Sequence, residues 1–305
     1  MNSYLKFVGS IMPAVVNIHA QIPTSNPSSS ILGTERMGTG TLLDRQGHIL
    51  TIGYIVLGAE SITVNLHDGR SLPAELSGQN VESGLAVIRA LGESELEEVR
   101  TPRLGHSQDL NVGQSTLIIA ATDKEQRQVS TGIITSLKPF DAYWEYMLDR
   151  AILTSASNPG FGGGPLLTYS GQLVGVVSLN LGPSGGLSLA VPVDLFYEAR
   201  EELLGLEQAP RPARPWIGFF PQPQERDGLV IAGLVPGSPA EEAGLQTGDI
   251  LLTVNNEKIT SRRQLYECMW RGRAGDIITL TVKRGEEELT VIVASTDRKT
   301  FYGQS

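Results

Sequence analysis

Residues 158–167, NPGFGGGPLL, decide how this chain is read. Glycines at 160, 162, 163 and 164 permit backbone angles and close approaches that a side chain forbids. Alone, the stretch is a glycine-rich loop of weak specificity, so its meaning comes from its surroundings. Outward from it, residues 13–195 are short apolar runs broken by Gly, Pro, Asp and Asn: AVVNIHA, GTGTLLD, HILTIGYIVL, SITVNLHDG, SGLAVIRAL, STLIIAATD, GIITSLKP, QLVGVVSLNLG and LSLAVPVD. Runs of this length, rich in Val and Ile, predict an all-β sandwich or barrel. Within them, ITVNLHDGRSLPAEL reads as a hairpin turning at Asp68-Gly69. VDLFYEAREELLG (193–205) is the first helix, with Gly205 as its stop signal.

The bulk properties narrow the function. A chain of 305 residues suggests about two domains, and 40% hydrophobic residues supply ample core. The net charge of −9 leaves no basic face for phosphates, which excludes nucleic acid as the main partner. Cys268 is the single cysteine, so neither an intrachain disulfide nor a Cys-based metal site can form. His19, His48, His67 and His106 have no metal-ligand spacing, and neither a metal nor a cofactor is expected. No apolar run reaches the ~20 residues of a membrane helix. The opening MNSYLKFVGSIMPAVVNIHA lacks the features of a signal peptide and reads as folded protein from its first residues.

EQAPRPARPW (207–216) is an extended Pro-rich linker, after which the pattern restarts. Domains are therefore expected at 1–205 and 216–296, with a linker at 206–215 and a tail at 297–305. Acidity follows the same division: residues 1–205 carry 12 basic and 20 acidic side chains, and the remainder 12 and 13. In the second part, strand GLVIAGLV, short helix SPAEEAGL, turn QTGD, strand ILLTVNN, helix SRRQLYECMWRG and strands IITLTVKRG and ELTVIVAS follow in order.

Three stretches of that part, PWIGFF, VPGSPAEEAGLQTGDILLTVNNEKI and SRRQLYECM, resemble the PDZ family in order and spacing. The resemblance implies a small α+β domain that binds extended peptide or protein C-termini by adding a strand to a sheet edge. It places the N–H groups of Ile217, Gly218 and Phe219 around a terminal carboxylate, with Gly218 permitting the approach. Phe219, Leu265 and Met269 would line an apolar pocket. The plainer alternative is that WIGF is a buried strand and the glycine a turn.

With a PDZ domain behind it, the first part resembles the HtrA family of trypsin-like serine proteases. The matching stretches are MPAVVNI, MGTGTLLDRQGHILT, SGLAVIRA, LGHSQDLNVGQSTLIIA, VSTGIITSLKP, NPGFGGGPLLTYSGQLVGVVS and LSLAVPVD. The resemblance implies an all-β double six-stranded barrel with a Ser-His-Asp triad between the barrels. All three triad positions have changed: TIGYIV carries Tyr54 for the histidine, SGLAV carries Gly84 for the aspartate, and GFGGGP carries Gly162 for the serine. A phenol with an ordinary pKa of ~10 is no base at neutral pH, and the two glycines offer neither carboxylate nor nucleophile.

A catalytically inactive homologue follows as the expectation: a peptide or protein binder acting as scaffold, chaperone-like binder or regulator of an active protease. The alternative is a hydrolase with a relocated site, for which Ser155 and Ser157 are the nearest nucleophiles. The N–H groups of Gly160 and Gly162 could persist as an oxyanion hole, or the glycines could simply hold the turn while Tyr54 fills the histidine's volume. Tyr4 and Phe7 fall where the family joins three subunits, which implies a homotrimer, with mixed assembly beside an active relative as a variant. QIPTSNPSSSILGTER (21–36) reads as a mobile polar loop. The family works outside the cytoplasm.

Overall fold

The structure is a computed structural model that describes residues 2–92, 96, 99–181, 186–206, 212–224 and 228–303, and only the backbone of 2–5. It divides into two compact units: Met1–Pro23, Leu32–Pro139 and Leu148–Gln208 form one, and Thr24–Ile31, Phe140–Met147 and Ala209–Ser305 the other. Residues 207–211 of the expected linker and the side chain of Tyr4 lie outside the described residues.

The first unit begins with α1 (Asn2–Ile11). Strands β1 (Val15–Gln21), β2 (Glu35–Leu42), β3 (His48–Ile52), β4 (Ser61–Asn65), β5 (Ser71–Asn80) and β6 (Leu85–Ala90) close into a barrel of order β1-β2-β3-β6-β5-β4. Its interior is filled by Val16, Ile18, Ile49, Val64 and Ile88, all fully buried. Gly40 on β2 has no room for a side chain, because a Cβ there would run into Ile49 and Ile18. The β4–β5 hairpin turns through Gly69 at φ 89°, as the sequence predicts.

A second sheet holds β7 (Arg103–Leu104), β8 (Ser115–Ala121), β9 (Arg127–Ala142), β10 (Tyr146–Thr154), β11 (Pro165–Thr168), β12 (Gln172–Leu181) and β13 (Leu187–Pro192). Their order is β11-β8-β9-β10-β13-β12-β7, and the further pairing of β11 with β12 joins the ends of the first six strands. The fold is thus the trypsin-like all-β architecture implied by the resemblance, followed by a PDZ domain. Ile118, Ile134, Ile152, Leu166 and Val177 form its core.

Two local readings change. The helix expected over 193–205 is two short pieces, separated at Ala199 (φ −108°, ψ 20°), where the backbone leaves the helical region. Gly205 does end the segment, at φ 68°. The polar loop 21–36 is held rather than loose: Ser29–Leu32 is helical, and Asn26 both caps Ser28 N (3.0 Å) and donates to the Tyr302 carbonyl (2.9 Å).

The second unit has β14 (Phe219–Pro223), β15 (Leu229–Leu234), β16 (Ile250–Val254), β17 (Glu257–Lys258), β18 (Ile277–Arg284) and β19 (Glu287–Ala294). The sheet order is β14-β15-β16-β18-β19, with β17 beside β16. The helix Arg262–Met269 starts where the Ser261 hydroxyl accepts the Gln264 N–H (3.2 Å), an N-cap that satisfies an otherwise orphaned donor. That helix buries Leu265, Tyr266, Cys268 and Met269 against Phe219, Leu251, Leu280 and Val293. The expected tail is helical over Arg298–Phe301, with Phe301 and Tyr302 packed on Trp216 at ring distances of 4.6 and 5.7 Å.

Candidate functional site

The first unit brings Tyr54, Gly84 and Gly162 together. Gly84, at φ 74°, accepts the Gly53 N–H (2.7 Å), which holds it beside Tyr54. Tyr54 in turn reaches the glycine turn: its hydroxyl donates to the Ser178 carbonyl (2.9 Å), and a Cβ at Gly162 would fall inside contact with that same hydroxyl. The space a residue-162 side chain would enter is therefore occupied. Burial pushes the Tyr54 phenol up to about 12, still further from service as a base.

The turn itself is fixed by its backbone. Thr39 N donates to Gly162 O (2.6 Å), Thr39 Oγ1 to Phe161 O (2.7 Å), Phe161 N to Ala121 O (2.9 Å) and Gly163 N to Val177 O (2.7 Å). Gly163 sits at φ 93° with the Thr39 carbonyl where a Cβ would be, so the glycines are demanded by packing as well as by shape. Among the described residues, neither Gly160 N nor Gly162 N donates a hydrogen bond. Ser155 lies nearby but is tied to the sheet, its hydroxyl accepting the Ile133 N–H (3.0 Å). Ser157 is exposed. The histidines bond elsewhere: His19 with Glu35, His48 with Asp44 and His106 with Asp194, while His67 is exposed. Phe7 packs over the turn at Gly171 within its own unit.

In the second unit the N–H groups of Ile217, Gly218 and Phe219 all point at one carboxylate, and it belongs to the chain itself. Glu145 Oε1 accepts from Gly218 N (2.7 Å) and Phe219 N (3.3 Å), and Oε2 accepts from Ile217 N (3.3 Å). Gly218 makes this possible at φ 81°, where a Cβ would strike Ser238. Burial pushes the Glu145 carboxyl up to about 7, against the opposing pull of the three N–H groups and Arg298. Glu145 also holds a left-handed backbone conformation, φ 55°, which costs a non-glycine residue on the order of 1 kcal/mol. Phe219, Leu265 and Met269 lie together in the apolar cluster, each at most 1% exposed, and Met147 packs against that cluster.

Sequence reasoning found the donors and missed the acceptor. It also missed Tyr266, whose hydroxyl donates to the Ala142 carbonyl (2.7 Å) and accepts the Glu145 N–H (3.1 Å). The only sequence signal is FDAYWEYM (140–147), an acid set among aromatics. Among the described residues, no group of three or more His, Cys, Asp and Glu side chains could hold a metal ion.

Fold and sites together define a trypsin-like β-barrel protein with a PDZ domain. A model of the trypsin-like peptidase domain matches residues 38–176, and a model of the PDZ domain matches 215–294. The chain is 32% identical over 279 residues to a probable periplasmic serine endoprotease DegP-like from Halomonas elongata, covering 86% of this chain and 56% of that protein. It is 27% identical over 288 residues to the serine endoprotease DegS of Haemophilus influenzae, covering 89% and 81%. The chain spans about half the length of the DegP-like relatives it matches. The solved structure of the HtrA-type protease AlgW with tripeptide aligns at a TM-score of 0.59 and 25% identity, covering 96% of each chain. The chain is an HtrA-family trypsin-like domain joined to a PDZ domain, homologous to the DegP and DegS proteases. Among the described residues, no helix is long and apolar enough to cross a membrane.

Proposed function

We propose that this chain is a catalytically inactive HtrA-type protein that binds peptide or protein C-termini through its PDZ domain, as a scaffold, chaperone-like binder or regulator of an active protease. The observation that carries the inactive reading is Tyr54, whose hydroxyl fills the approach to Gly162 where a nucleophile would stand. Gly84 adds that no carboxylate is present to orient a base. The binding reading is supported by Ile217, Gly218 and Phe219, which already cradle a carboxylate. The functional division follows the sequence: 1–205 as the degenerate protease domain, 206–215 as linker, 216–296 as PDZ domain and 297–305 as its tail. By homology to periplasmic relatives, the chain works outside the cytoplasm, as a homotrimer or beside an active relative.

Purified chain incubated with casein and with a fluorophosphonate probe tests the inactive reading. No cleavage and no covalent labelling are expected. Cleavage or labelling that is lost in Ser155→Ala or Ser157→Ala would establish a relocated site and overturn it.

A further inference from the structure

Building on the peptide-binding reading of the carboxylate loop, we infer that the hairpin tip Phe140–Met147 is a built-in competitor for the PDZ site, with Glu145 standing where an incoming C-terminus must place its carboxylate. The loop presents one convergence point. Gly218 N is 2.7 Å from Glu145 Oε1, and the flanking N–H groups are committed to the same two oxygens. A second carboxylate has no donors until the first withdraws.

The same segment also makes an apolar contact: Met147 packs against the cluster to which Phe219, Leu265 and Met269 belong. Further contacts clamp the tip to the helix Arg262–Met269. Arg262 Nε donates to Asp141 Oδ2 (2.7 Å), and Tyr266 bonds both Ala142 and Glu145. Tyr143 stands edge-on to Phe220 on β14, with ring centroids 5.8 Å apart. Arg298 supplies a positive charge near Glu145 and donates to the Trp144 carbonyl (3.4 Å). The Arg262–Asp141 pair keeps both side chains partly exposed, which suits a contact that opens. An external C-terminus then binds with its intrinsic affinity reduced by the fraction of molecules whose tip is withdrawn.

The test uses the full chain and a degenerate pool of fluorescent octapeptides, once with free C-termini and once amidated. Glu145→Ala should bind the free-acid pool at least about ten-fold more tightly than the unaltered chain, with Glu145→Gln, whose neutral side chain stays docked, no tighter than the unaltered chain and the amidated pool bound by none. The Gly218 amide resonance should also move on Glu145→Gln, while resonances of β18 and β19 stay in place and report an intact fold. Equal affinity for all three chains, or a Gly218 resonance indifferent to residue 145, would overturn the competition and leave the peptide-binding reading standing. Absence of carboxylate-dependent binding in every chain would overturn that reading and the competition with it.

Discussion

The two sites are both filled from within, yet they have been treated differently. At the glycine turn, the Tyr54 side chain occupies the space beside Gly162. At the PDZ loop, the chemistry is carried by main-chain N–H groups, which substitution does not remove so long as Gly218 keeps its φ of 81°. Glu145 there occupies donors that remain in place. Catalysis of the Ser-His-Asp kind depends on side chains, whereas carboxylate recognition by N–H groups depends on backbone shape.

The larger break in this comparison is Gly162→Ser. Its Cβ collides with the Tyr54 hydroxyl and displaces that hydroxyl from the Ser178 carbonyl. Destabilisation of about 1–3 kcal/mol is expected from overpacking, with no gain of peptidase activity. In a Tyr54→Ala background the same serine should cost less by about 1 kcal/mol, a coupling that denaturant unfolding of the four chains of a double-mutant cycle measures. An uncoupled cycle would mean that Tyr54 does not hold that space.

The smaller effect sharpens the other site. Docked, the Glu145 carboxyl is raised from its ordinary 4.5 to about 7, so docking takes up a proton. Docking is then fully favoured below about 4.5, weakens as pH rises through 7 and is constant above it. The groups facing Glu145 are the Arg298 guanidinium, the Tyr266 and Tyr146 phenols, which burial pushes upward, and Asp141, which is paired with Arg262. All four histidines lie outside the second unit. Free-acid peptides should therefore bind the unaltered chain more tightly at pH 8 than at pH 5, on the order of ten-fold, with Glu145→Gln showing no such change. Fluorescence anisotropy across that range reads both chains, and the same slope in each would remove Glu145 as its source.

Much of the architecture was legible because it rests on local patterns. The Val- and Ile-rich runs and the Asp68-Gly69 turn each act within a few residues. Tyr54, Gly84 and Gly162 stood out in the sequence because TIGYIV, SGLAV and GFGGGP follow in order, and the fold brings the three residues together. Glu145 was not, since it lies more than 70 residues before the N–H groups it meets, in a hairpin with no motif of its own. The loop 21–36 misled by composition: its Ser and Pro residues read as mobile, yet Asn26 pins it through a carbonyl 276 residues away. The helix over 193–205 kept its apolar spacing but broke at Ala199, where the angles depend on packing that no short window shows.

The central claim is that this chain recognises C-termini without cutting them. Its most direct test is mass spectrometry of the octapeptide pool recovered from the immobilised Glu145→Ala chain. Intact peptides, retained only with a free carboxyl terminus, are the predicted result; shortened peptides, or equal retention of the amidated pool, would contradict it.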